Sequence, residues 1–284
     1  MPRPQVTQQR PNAPPVKKAV VDDGWGAVDW IRMLLYGASG SGKTTFAATF
    51  PGPIRWYLCS GGNRPGELRS VDTPEYRKKI SPLTVRDFDQ FGEDAEKVSA
   101  SGDYATVVLD HASGFSDMVL SSILGKPIPA QKGWGLATQQ QYGQLSLKCK
   151  EAFKALLNMP CHVVIIAQER TFGGKDAGID PDLIKPTVGA ALTPSLTGWL
   201  NPACDYVLQT FKRPRMKTVT TRIGKEDHVT RQRDKGVEYC VRCEPHDTFM
   251  TKFRVPRGYY LPDAIPDPTY DKIVSVLKGT YSEE

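Results

Sequence analysis

The chain has 284 residues, 39% of them hydrophobic, a net charge of +6 and six cysteines. That length suffices for one large α/β core with small additions. No apolar run approaches a membrane span and none follows Met1-Pro-Arg-Pro to act as a signal peptide, so membrane classes are excluded and a cytoplasmic protein is expected. Cys59, Cys149, Cys161, Cys204, Cys240 and Cys243 are scattered, several within apolar runs, and read as reduced core thiols.

Residues 1 to about 24 are rich in Pro, Gln, Lys and Arg with no acid before Asp22, the composition of a disordered basic tail. The aromatic patch Trp25-Gly-Ala-Val-Asp-Trp30 follows, either covering the edge of the core or docking on a neighbouring subunit. Trp30 to Tyr36 is a short apolar run, as in a buried parallel strand. Gly37-Ala-Ser-Gly-Ser-Gly-Lys43-Thr44 then matches the phosphate-binding P-loop pattern at every required position. Thr45 to Phe50 has helical spacing and stops at Pro51-Gly52. Gly40 and Gly42 let backbone N–H groups curl round a polyphosphate at a helix N-terminus that favours anions. Lys43 would reach the β- and γ-phosphates, and the Thr44 hydroxyl would sit on Mg²⁺. Gly37, Gly40, Ser41, Gly42, Lys43, Thr44 and Thr45 are thus the candidate contacts to ATP.

Ile54 to Cys59 reads as the second strand, ending at Ser60-Gly61-Gly62-Asn63, and residues 83–85 as a short one. Tyr104 to Asp110 is a strong strand whose Thr106-Val-Val-Leu-Asp110 ends in a carboxylate, suited to holding Mg²⁺ beside the P-loop. A polar loop, Gly125 to Gly135, leads into a long helix over 136–158, with Leu145, Cys149, Ala152, Phe153 and Leu156 on one stripe. Cys161 to Ala167 is the next buried strand, ending at Gln168. The Gly-, Thr- and Pro-rich segment from Thr171 to about Leu196 is too long for an inert connection. Strands follow over 205–211, 237–244 and 248–255, and a helix over 268–277. Cys240 and Cys243 fall within one of these strands and lack the second ligand pair of a zinc site. Between Lys212 and Lys235 lies a basic insertion, with Lys212, Arg213, Arg215 and Lys217 at its start, of a density that suits phosphate backbones. Because it lies far along the chain from the P-loop and outside the motifs, its loss is expected to leave ATP binding unaffected. The pattern predicts one core over 25–284: an α/β, mainly parallel, doubly wound sheet with antiparallel C-terminal strands and its ligand at the strands' carboxyl ends.

The P-loop, the strand ending in Asp110, the strand Val163 to Gln168 and the glycine-rich loop behind it resemble the RecA-type recombinase core. Nearer still, the chain resembles phage nucleotide-binding proteins of RecA-like fold that act in single-strand annealing or recombination, over roughly residues 30 to 280. The resemblance implies that Gln168 contacts the γ-phosphate and couples it to a DNA-gripping loop. It implies a homo-oligomer, filament or ring, in which Lys252 and Arg254 reach the neighbouring subunit's triphosphate. It puts single-stranded DNA along two loops, with Lys126, Lys132 and Trp134 on the first and Lys175 and Lys185 on the second. A separate single-strand-binding protein is a further expected partner. One departure stands out: the family's second strand ends in a glutamate that activates water, and here Cys59-Ser60-Gly61 takes its place. Glu67 or Glu169 would substitute, or DNA-dependent ATP hydrolysis is slow. The expected function is a phage-like ATP-binding recombinase. Two other readings stay open: a nucleotide-controlled switch or assembly factor in phage DNA replication or packaging, and a small P-loop kinase.

Overall fold

In the computed structural model, residues 30–59, 66–125, 137–173, 185–223 and 226–282 are described, with backbone alone for 217–223, 226–229 and 231–232. The first half of the chain runs β1 (Arg32–Gly37), α1 (Lys43–Ala48), β2 (Ile54–Leu58), α2 (Pro74–Lys79), β3 (Ile80–Thr84), α3 (Phe88–Ser101), β4 (Thr106–Asp110) and α4 (Ala112–Leu124). The second half runs α5 (Gln139–Leu157), β5 (His162–Phe172), β6 (Thr187–Ala190), α6 (Pro194–Ala203), β7 (Tyr206–Ile223), β8 (Glu226–Arg242), β9 (Ala264–Pro266) and α7 (Tyr270–Leu277). In space the strands lie in the order β3-β2-β4-β5-β1-β7-β8-β9, with β6 paired to β5 off that path. From β3 to β7 every pairing is parallel, and β8 and β9 are antiparallel. This is the mixed α/β sheet expected, antiparallel at its C-terminal strands.

Helices cover both faces, so the central strands read as continuous apolar runs: five of the six residues of β1 are buried. One face packs Tyr57, Phe91, Phe115, Phe153 and Leu156 beneath α3, α4 and α5. The other packs Phe46, Phe50, Trp56, Ile273 and Val276 beneath α1 and α7. All six cysteines are free and buried, as expected. Among the described residues no helix is long and apolar enough to cross a membrane. Caps set the helix starts. Thr138 and Gln141 form a reciprocal capping box at α5, and Asp87 caps α3 by accepting from Gln90 N.

Several boundaries differ from the sequence expectation. Strand β5 does not end at Gln168 but runs on to Phe172, because β6 supplies an antiparallel partner for Glu169 to Phe172. Residues 194–203 form α6 rather than the end of a loop, started by Pro194 at its first turn. The stretch 248–255 is not a strand; it makes isolated bridges through Phe249 and Lys252. The basic insertion 212–235 lies within two long paired strands. Strands β7 and β8 pair from Gln209↔Arg242 to Ile223↔Glu226, while β1 reaches only Thr210. Beyond that point the two strands form a ribbon roughly 40 Å long at the usual rise per residue. The basic tail 1–24, the aromatic patch up to Asp29, most of the loop 125–135 and the middle of 171–196 lie outside the described residues.

The start of α4 is packed against the end of β2. A Cβ on Gly114 would come 1.9 Å from the Cys59 carbonyl oxygen, whereas on Gly143, in exposed α5, it would meet nothing within 4 Å. Gly114→Ala should therefore destabilise the protein by about 1–3 kcal/mol. Gly143→Ala should stabilise it by about 0.5–1 kcal/mol. Urea denaturation of the two variants checks both signs.

Candidate nucleotide site

Parallel register gathers the candidate residues at one end of the sheet. Gly37, the last residue of β1, lies between Gln168 of β5 and Thr210 of β7, and Asp110 ends β4 beside Leu58. The loop from Gly37 to Thr44 leaves from that point. Gly40 and Gly42 have φ of 71° and 93°, values that suit glycine. At Gly37 it is space that requires glycine, since a Cβ would lie 2.3 Å from Thr210 Oγ1.

Lys43 is only 7% exposed. Its Nζ donates to Gly37 O at 2.8 Å and Ala38 O at 2.9 Å, so the ammonium is held inside the loop. Burial pushes its pKa down, and the charges of Asp110 and Glu169 act in the opposite direction. The Thr44 hydroxyl donates to Asp110 Oδ2 at 3.3 Å. Burial raises the Asp110 carboxyl to about 6, against the opposing pull of the Thr44 hydrogen bond and Lys43. A hydroxyl and a carboxylate converging beside a phosphate loop are hard oxygen donors, the set that suits Mg²⁺. The residues present fit that ion.

Gln168 lies where the parallel sheet gives way to the β5–β6 hairpin. Its carbonyl accepts from Ala191 N at 2.7 Å, and the residue lines a cavity of about 360 Å³ with His111, Ser113, Asp117, Tyr142 and Arg170. His111 caps α4, its Nδ1 accepting from Gly114 N at 2.9 Å. Burial, and then the Lys43 charge, push its pKa down. The two water-orienting candidates lie on different sides of the site. Burial, then Asp110 and Glu67, push the Cys59 thiol well up, so the Glu67 charge is felt at the end of β2. Glu169 is felt at Lys43, and it accepts from Gln209 Nε2 at 3.5 Å.

The basic candidates are dispersed. Lys252 donates to the carbonyls of Asn201 and Pro202 at the end of α6, and Arg254 pairs with Asp205 at 2.7 Å. Both sit beside the beginning of β7, away from the loop. Lys185 pairs with Asp247 on the surface. Arg213 pairs with Glu238 at 2.5 Å and Arg215 with Asp267 at 3.6 Å. Lys126, Lys132, Trp134 and Lys175 lie outside the described residues, as does the side chain of Lys217. The 212–235 cluster, far from the nucleotide loop along the chain, is not wholly remote from it in space. Its first member approaches the loop closely, with Lys212 Nζ 3.9 Å from where a Cβ on Gly40 would be. The reason is that β7 runs alongside β1. Sequence reasoning also missed Thr210, whose Oγ1 shares a 2.6 Å hydrogen bond with Ser41 Oγ, and His111. His111 was legible only as the neighbour of Asp110.

With that geometry in place, residues 30–255 match the AAA domain family. The chain belongs to that family. The AAA domain here is thus a P-loop ATPase domain by sequence as well as by the geometry of its loop. No curated protein matches the chain. Among solved structures it is similar to the KaiC-like protein PH0186 from Pyrococcus horikoshii OT3, at 15% identity and a TM-score of 0.36, covering 74% of this chain and 76% of that one.

Lys43→Ala should abolish binding of a fluorescent ATP analogue, measured by anisotropy, while the far-ultraviolet circular dichroism stays that of the wild type. Asp110 makes a different prediction, for protein free of metal and nucleotide. A carboxyl raised in the folded state binds its proton more tightly there than in the unfolded chain. Folding stability is therefore fullest below the unfolded value of 3.8 and falls as pH rises towards about 6. Asp110→Asn removes that loss. In EDTA at pH 8 the variant should be more stable than wild type by up to roughly 3 kcal/mol, and the gap should close towards pH 4.

Proposed function

We propose that this AAA-domain protein is an ATP- and Mg²⁺-dependent binder of single-stranded DNA that works as a phage-type recombinase, promoting annealing or strand exchange. The observation that carries the reading is the basic ribbon. It springs from β7, the strand next to the phosphate loop, and its charges suit a phosphate backbone. Thr44 and Asp110 would hold Mg²⁺, which neutralises phosphate charge when bound. Lys43 would leave the carbonyls of Gly37 and Ala38 for the triphosphate. Gln168, at the junction with the β5–β6 hairpin, is suited to relay γ-phosphate occupancy to the segment after Phe172. Assembly into a filament or ring would let Lys252 and Arg254 exchange their partners in the chain for a neighbour's phosphates.

Turnover is expected to be slow. The position after β2 holds Cys59, whose thiol burial keeps protonated, in place of a carboxylate. Water must then be oriented by Glu67 or Glu169. Steady-state phosphate release with single-stranded DNA should be slow in the wild type, and one of Glu67→Gln and Glu169→Gln should reduce it further. Brisk turnover surviving both changes overturns this assignment.

The test of the whole reading is electron microscopy with single-stranded DNA, with and without a non-hydrolysable ATP analogue, joined to salt titrations. Nucleotide-dependent complexes are expected. Log affinity should fall linearly with log salt, by roughly 0.7 per phosphate neutralised. Changing Lys217, Arg233 and Lys235 to Ala should make that slope shallower with ATP affinity unchanged. A protein that binds ATP but forms no complex on single strands is a nucleotide-controlled switch or assembly factor instead.

A further inference from the structure

The root of the ribbon carries side chains that the phosphate-loop pattern does not account for. Lys212 and Tyr239 are direct cross-strand partners, so their side chains leave one face of the ribbon together. Thr210, two residues before Lys212, shares that face. These three side chains meet three successive loop residues. Thr210 Oγ1 bonds Ser41 Oγ at 2.6 Å, Lys212 Nζ approaches Gly40, and the Tyr239 ring covers Gly42, 3.1 Å from where a Cβ would stand. Lys212 is exposed and Tyr239 is 40% exposed. The nearby pair of Arg213 with Glu238 belongs to the adjacent rung of the ladder, whose side chains face the other way.

We infer that Lys212 is a second phosphate-binding cation of the nucleotide site, supplied in cis by the ribbon, with Tyr239 as the residue that positions it over the loop. The inference rests on the nucleotide-binding reading of the loop. Lys43 and Lys212 reach the loop from different sides. Lys43 lies inside, tied to the carbonyls of Gly37 and Ala38. Lys212 arrives at Gly40 from the ribbon, with its side chain exposed. A triphosphate carries more negative charge than Lys43 and one Mg²⁺ neutralise, and a flexible ammonium beside the glycine backbone can take a remaining phosphate oxygen. Once Lys212 holds phosphate, the ribbon root is tied to the ligand as well as to Ser41. Nucleotide occupancy then restrains the ribbon, and by linkage whatever binds the ribbon alters nucleotide affinity.

The test measures ATP, ADP and AMP affinities by isothermal titration without DNA. The proteins are wild type, Lys212→Ala, Lys212→Arg, Tyr239→Ala, Tyr239→Phe, Lys43→Ala and the remote charge control Lys97→Ala. Lys212→Ala should weaken ATP binding roughly tenfold to a hundredfold, as loss of a hydrogen bond to a charged group does. The loss should shrink from ATP to ADP to AMP, and Lys212→Arg should restore most of the affinity. Tyr239→Ala should show the same dependence on phosphate number, and Tyr239→Phe should rescue it, since the ring rather than the hydroxyl covers Gly42. Lys97→Ala should bind as wild type. Wild-type ATP affinity in Lys212→Ala, or an equal loss in Lys97→Ala, overturns the inference while a dead Lys43→Ala leaves the site assignment standing. Should Lys43→Ala also bind normally, the nucleotide site itself is wrong.

Discussion

Strand β1 lies in the interior of the sheet, hydrogen-bonded in parallel to β5 on one side and β7 on the other, and the rest of the site depends on that position. With both edges paired and both faces covered, its last residue can point only one way, out of the carboxyl end of the sheet. The phosphate loop leaves from Gly37 with no room for a side chain, because Thr210 already fills the space. The same parallel register brings Asp110, at the end of β4, and Gln168, within β5, to the same end of the parallel sheet. A ligand site at that end follows from sheet geometry, before any side chain is considered.

One buried charge, Lys43, and one partly buried charge, Asp110, make the site expensive without ligand. Lys43 loses hydration and is pulled towards neutrality, while Asp110 loses hydration and holds its proton up to about 6. Each is partly compensated by the other and by local hydrogen bonds from or to the loop. Such groups weaken the ligand-free fold, and the polyanion and divalent cation of the proposed function would offset that cost. Cys59 at the end of β2 adds no charge to that set. On the proposed function, the orientation of water falls to carboxylates outside the second strand.

The ribbon adds a mechanical element. Its root is bonded to the loop through Ser41 and Thr210 and covers Gly42 with an aromatic ring. Loop and ribbon root are therefore packed against each other, so a displacement of one is felt by the other. Basic residues nearer the root are drawn into pairs with Glu238 and Asp267, so the ribbon's charge is not uniformly available to an outside polyanion.

How much could be read in advance varies along the chain for physical reasons. The phosphate loop was legible because its requirements are local: glycines at positive φ, one lysine and one hydroxyl at fixed spacing. The buried strands were legible because a strand covered on both faces must be apolar throughout. Helix α4 was not, since Ala112-Ser-Gly-Phe-Ser-Asp mixes small and polar residues, and its start depends on close packing against Cys59. The ribbon was legible only as a basic insertion, because alternating Lys, Arg and Thr are individually polar and only a partner strand makes them a ladder. Thr210 and Ser41 are separated by 169 positions, and Tyr239 is more distant still from Gly42. The sequence by itself determined the chemistry of the loop and the class of the sheet. Which distant residues complete the site was decided by the tertiary structure, because it depends on which strand pairs with β1 and in what register, and no local pattern encodes that choice.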